Sequence, residues 1–130
     1  MQTTNYFNTF IEIADDCMST AGEAPPQKEV KTAAQIEYEM LMGNPYRYTS
    51  DDVLYQSNGN RRGMSREEFF SKDQPCFRAS ALCKRYGWGV HSNDEGKVAI
   101  YAVGTPDYIR LSSDESIKHI RAMRSSNKKE

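Results

Sequence analysis

At 130 residues the chain is long enough to build one hydrophobic core without metal or disulfide staples, and 38% hydrophobic with 27% charged residues describes a water-soluble globular domain rather than a disordered one. A formal net charge of −1 argues against a nucleic-acid binder, which would usually be net basic, and no apolar run of bilayer-spanning length exists. Neither nucleic acid nor membrane is therefore an expected partner.

The start, Met1 to Asn5, lacks the basic-then-apolar layout of a secretion signal. Cys17, Cys76 and Cys83 are odd in number and irregular in spacing, which fits reduced thiols in a cytoplasmic protein. The near-zero charge hides an asymmetry: residues 1–60 carry nine acids and three bases, residues 61–130 nine acids and fourteen bases. Either the halves neutralise each other on packing, or a basic face meets an anion.

Thr3 to Ala14 is rich in aromatic and β-branched residues and predicts the first strand. Gly22, Pro25 and Pro26 make 15–28 a surface loop. Val30, Ala33, Ala34, Ile36, Met40 and Leu41 recur at helical spacing and predict a helix over about 30–42, stopped by Gly43-Asn44-Pro45. Glu37 falls inside its apolar stripe, where a carboxylate needs a partner or acquires a raised pKa beside a pocket. Thr49 or Ser50 can cap a short helix through Tyr55. The turn-rich run at 57–63 reads as a second surface loop, ending in a solvated Arg61-Arg62 pair.

Ser65 and Glu68 form a capping box that opens a helix over about 66–72. Ser80 caps a further one over about 81–86, ended by Gly87. Two apolar runs around Ser92 to Gly96 predict a β-hairpin near 88–103. Thr105-Pro106 opens a turn or two of helix, and Ile117, Ile120 and Met123 make the inner stripe of a last helix over about 113–124. Residues 125–130 form a frayed tail. The fold class that follows is α+β: a small antiparallel sheet packed on one side by helices, in a single domain over 1–130.

The densest chemistry lies in Pro75 to His91, which contains Cys76, Arg78, Ser80, Lys84, Arg85, Tyr86, Trp88 and His91. Cations around a capped helix start suit an anion, and the aromatic rings suit a planar neighbour to it. Taken singly, Trp88 is a core residue and His91 a satisfied strand residue; only their clustering suggests a site. Glu37 is the natural counter-ion for one of the cations. No phosphate-binding Gly-rich loop, metal-ligand spacing or paired catalytic carboxylates occurs, so no metal or other cofactor is called for.

The stretches at 5–12, 44–54, 69–80 and 84–91, among them N-P-Y-R-Y-T-S-D-D-V-L and K-R-Y-G-W-G-V-H, resemble a family of small uncharacterised bacterial proteins over nearly the whole chain. That resemblance implies a stand-alone bacterial domain of unknown function and assigns no substrate or catalytic residue. The functional expectation is a binding domain that holds an anionic small molecule or partner segment at the basic-aromatic stretch. The alternatives are an enzyme using Cys76, His91 or Glu37 in the same cleft, and a structural homodimer with a Tyr- and Arg-rich interface.

Overall fold

Residues 2–125 are described by the computed structural model, in which five strands make one sheet: β1 (Thr9–Glu12), β2 (Tyr48–Thr49), β3 (Trp88–Ser92), β4 (Lys97–Ala102) and β5 (Lys118–Arg121). Their order is β2-β4-β3-β1-β5, antiparallel except for the parallel β1/β5 pair. The predicted hairpin is β3–β4, with Trp88 opposite Ala102 and Ser92 opposite Val98. Asn93 closes its turn by accepting hydrogen bonds from the amides of Glu95 and Lys97, which is why an Asn suits this corner.

The helices are α1 (Ala33–Leu41), α2 (Ser50–Leu54), α3 (Arg66–Phe69), α4 (Ala81–Lys84) and α5 (Pro106–Ser112), so the fold is α+β. Capping sets where most of them begin. Thr49 and Asp52, and likewise Ser65 and Glu68, exchange reciprocal side-chain to backbone hydrogen bonds at the starts of α2 and α3, while Thr105 caps α5 with Pro106 inside its first turn.

Strand alternation divides the core. Ile11, Val90, Val98 and Ile100 face α1, α2 and α4, which contribute Leu41, Val53, Leu54, Leu82 and Cys83. Phe10 points the other way and meets Tyr108 and Leu111 of α5, with the Phe10 and Tyr108 rings edge to face at 5.0 Å. Gly89 permits this, because a Cβ there would lie 2.6 Å from the Phe10 ring and 2.8 Å from Tyr108. The expectation that helices pack on one side only is thus corrected: α5 covers the second face as it carries the chain from β4 across to β5.

The same crossover overturns the predicted helix over 113–124. The chain leaves α5 at Ser113 and returns as β5, pairing His119 with Phe10 and Ile120 with Ile11. Ile117 packs on the Phe10 side of the sheet and Ile120 on the Ile11 side, while Met123 is 50% exposed. The three-residue spacing of these apolar positions therefore serves two faces of a sheet, and β1, far away in sequence, supplies the backbone partners that select a strand.

Other boundaries shift for local reasons. Thr32 accepts from the Gln35 amide at 3.2 Å, so α1 starts after it and Val30, expected in the inner stripe, is 78% exposed. The first strand is confined to Thr9–Glu12, and α3 and α4 are each a single turn. The loop expected at 57–63 is mostly helical: a π turn over Tyr55–Gly59 runs into a 3-10 turn over Asn60–Arg62, with Ser57 and Gly59 buried. The loop at 15–28 has no regular structure, yet Trp88 Nε1 donates to the Glu23 carbonyl at 2.9 Å and Gly22 lies against the indole. Apart from Ser125, the tail expected to fray lies outside the described residues.

Candidate functional site

The helical period carries Ala34, Glu37 and Leu41 to the buried side of α1. Glu37 is 3% exposed. Its two carboxyl oxygens receive hydrogen bonds from different directions: Ser80 Oγ donates to Oε1 at 2.6 Å and Ser57 Oγ to Oε2 at 2.9 Å. Ser80 Oγ also accepts from the Leu82 amide at 3.1 Å, so the cap of α4 and the support of Glu37 share one hydroxyl. Among the described residues no Lys, Arg or His lies within ion-pair distance of Glu37. Burial pushes its pKa up, outweighing the Ser80 and Ser57 hydrogen bonds and the positive charge of Arg61, which pull it down.

Glu37 lines a cavity of about 420 Å³, a size that suits a small organic molecule. Its lining comes from α1 and Leu54, from Asn58, Arg61 and Arg62 of the helical turns beyond α2, from Phe69, and from the chain at Gln74 to Cys76 and Ala79 to Ala81. Arg61 Nε donates to the Ser57 carbonyl at 3.0 Å and Arg62 Nε to the Asn58 carbonyl at 2.8 Å. These i, i+4 bonds anchor both guanidinium groups at the cavity wall while leaving N–H groups over for another acceptor. Cys76 Sγ lies 3.2 Å from the Tyr6 hydroxyl, whose pKa is pushed up to about 12 by burial first and by Cys76 second.

The predicted site residues divide among several places. Glu37, Ser80 and Cys76 meet in this cavity. Arg78 does not join them, because its Nε donates to the Arg121 carbonyl at 2.7 Å and ties the edge of β5. Lys84 lies in α4 and Arg85 is its exposed C-cap, whose carbonyl accepts from Ser19 Oγ. Neither forms an ion pair with Glu37, so the expected counter-ion within Pro75–His91 is replaced by two hydroxyls. Tyr86 packs against the main core. Trp88 is 8% exposed, edge-on to Tyr38 at 5.7 Å, and is a core residue rather than a platform.

His91 follows Val90 in β3 and faces the opposite side of the sheet, away from Cys76. Its Nδ1 is 2.8 Å from the Tyr46 hydroxyl, which is 2.9 Å from the Tyr101 hydroxyl. Tyr46 holds this place with a left-handed backbone, φ 60°. Burial and the charge of Arg110 hold the His91 pKa below its usual value. A base for Cys76 is therefore not supplied by His91.

A second hollow of about 520 Å³ lies over Ile36, Met40 and Tyr48, but its two charges, Asp52 and Arg66, already pair with each other at 2.9 Å. The Glu37 cavity differs in holding charges that the protein does not match. Arg61, Arg62, Ser57, Asn58 and Gln74 were missing from the candidate site residues; Arg61 and Arg62 were expected only as a solvated pair, and both are exposed, at the rim of the cavity they line. The signal for four of them was the spacing of 57 to 61 and 58 to 62, which fits helix as well as turn; the Asn58-Gly59-Asn60 composition points to a turn instead.

The fold and the cavity define an α+β chain with a mixed five-stranded sheet and a ligand-sized hollow built on a buried carboxyl group. The chain belongs to DUF6157, a family of unknown function whose model matches residues 1–128, in agreement with the resemblance read from the sequence. No curated protein and no solved structure matches it. No helix among the described residues is long and apolar enough to cross a membrane.

Proposed function

We propose that the protein is a small-molecule-binding domain whose site is the Glu37 cavity, and that its ligand carries an anionic group. The observation that carries this reading is the pairing, in one cavity of about 420 Å³, of a buried carboxyl group with two adjacent guanidinium groups that form no ion pair among the described residues. Arg61 and Arg62 take the anion by charge-assisted hydrogen bonds; Ala33, Leu54, Phe69 and Pro75 supply apolar surface for the carbon skeleton. The π turn at Tyr55–Gly59 is also the kind of helix irregularity often found at functional sites. A reducing cytoplasm suits its three free cysteines.

Relative to the sequence-based expectation, the anion stays and the location moves from Arg78, Arg85 and Trp88 to Arg61 and Arg62. A thermal-shift screen with nucleotides, sugar phosphates and carboxylates tests both parts. A hit should be lost in Arg61→Ala or Arg62→Ala and kept in Arg85→Ala. Loss in Arg85→Ala with retention in the other two would return the site to the basic-aromatic stretch.

A further inference from the structure

A carboxylate offers about four lone-pair positions. The protein fills two at Glu37, one on each oxygen, through Ser57 and Ser80. Both donors are neutral. The cation nearest in effect, Arg61, forms no ion pair with it and is held instead on backbone carbonyls, with Nε on that of Ser57 and an Nη on that of Lys31 at 3.5 Å. Glu37 is 3% exposed and is one of the residues that line the cavity, so the space a ligand would occupy lies against a carboxyl group with acceptor capacity left over. A buried carboxylate without a paired cation is costly, and a cationic donor arriving with the ligand removes that cost.

We infer that the ligand is a zwitterion: a primary ammonium docks on Glu37 at the inner wall, while the same molecule's carboxylate or phosphate is held by Arg61 and Arg62. This rests on the proposed binding function and names its ligand class. Both charges of such a molecule meet an opposite charge, whereas a simple anion leaves the Glu37 carboxyl without a cation and, once that group is ionised, is repelled by it.

The neighbours of Glu37 define the pH behaviour. Facing it are Arg61 and Arg62 from the 3-10 turn, Cys76 from the chain before α4, and the buried Cys83 of α4, whose own pKa is raised by burial and by Glu37. Burial favours the protonated form of Glu37 before ligand arrives. Docking an ammonium requires the ionised form, so binding at a pH below the raised pKa releases a proton, and affinity tightens as pH rises through that pKa.

Isothermal titration of the full chain with two probe pairs tests the inference: 5-aminopentanoate against pentanoate, and O-phosphoethanolamine against ethyl phosphate. In each pair the ammonium-bearing member should bind about tenfold tighter or more, the size expected for one charge-assisted hydrogen bond. Its binding enthalpy should change between buffers of different ionisation enthalpy, reporting the released proton. Glu37→Gln should bring the two members of a pair to equal affinity, and Arg61→Ala should weaken both. Equal binding of paired members by the unaltered protein overturns the ammonium assignment and leaves the anion reading standing. An ammonium preference that survives Glu37→Gln overturns the role of Glu37. Failure of all four probes to bind overturns both. The comparison on the unaltered protein decides the ligand class even if a variant misfolds.

Discussion

Ser80→Ala is the substitution that most directly probes how the cavity is held together. The hydroxyl accepts from the Leu82 amide at 3.1 Å and donates to Glu37 Oε1 at 2.6 Å, so its removal costs a helix cap and the support of a buried carboxyl at once. A lost Ser cap costs about 1 kcal/mol, and a hydrogen bond to a charged group about 1.5–3 kcal/mol, which together predict about 2.5–4 kcal/mol at a pH where Glu37 is ionised and less where it is protonated. Ser80→Gly separates the two, since Gly is a tolerable N-cap and loses only a few tenths of a kcal/mol there; it should cost less than Ala by about the difference. Ionisation gives a second signature. The Ser80 hydrogen bond lowers the Glu37 pKa, so without it the charged form is still harder to bury and the penalty grows with pH. Urea denaturation at about pH 5 and about pH 8 measures all of this. A penalty near 1 kcal/mol at both pH values would show that Ser80 is a helix cap and nothing more.

The remaining expectations concern Glu37, His91 and the loop over Trp88. Because the folded-state pKa of Glu37 is raised by burial, the folded state holds its proton more tightly than the unfolded chain; stability is fully present below the ordinary carboxyl range and is lost as pH rises through the raised value. Glu37→Gln should flatten that part of the stability profile, and an unchanged slope in denaturation at several pH values would refute the assignment. His91 behaves oppositely: its pKa is depressed by burial and by Arg110, so its contribution is present above the ordinary value of 6.5 and is lost as pH falls through the depressed one. Its imidazole resonances should titrate below 6.5 in proton NMR, and a midpoint at or above that value would show that the Tyr46 contact leaves it open to water. Gly22→Ala would bring a methyl group 2.6 Å from Ala102 Cβ and 2.9 Å from the Trp88 ring, a clash expected to cost about 1–3 kcal/mol in thermal unfolding. A neutral result would mean that the 15–28 segment does not pack on the indole.

Local chemistry alone was enough to place several elements. Ser65 with Glu68, Thr105 with Pro106 and Ser80 mark helix starts through contacts made within three residues, and the β3–β4 hairpin is closed by an Asn within its own turn. The burial of Glu37 was legible for the same reason, since helical period decides which side of α1 a residue occupies. Everything that depends on a distant partner was not legible. Lys118–Arg121 is a strand because β1 offers a parallel edge, although the spacing of Ile117, Ile120 and Met123 fits a helix. Arg61 and Arg62 reach the cavity because α2 continues through a π turn, while a stretch rich in Asn and Gly reads locally as an exposed loop. Pro75 to His91, contiguous along the chain, is divided by the sheet: Cys76 and Ser80 face Glu37, Trp88 joins the core, and His91 emerges on the far side. Adjacent strand residues point to opposite faces, so closeness in sequence places reactive groups apart as readily as together, and only the packing of α1, α2 and α4 decides which of them share a cavity.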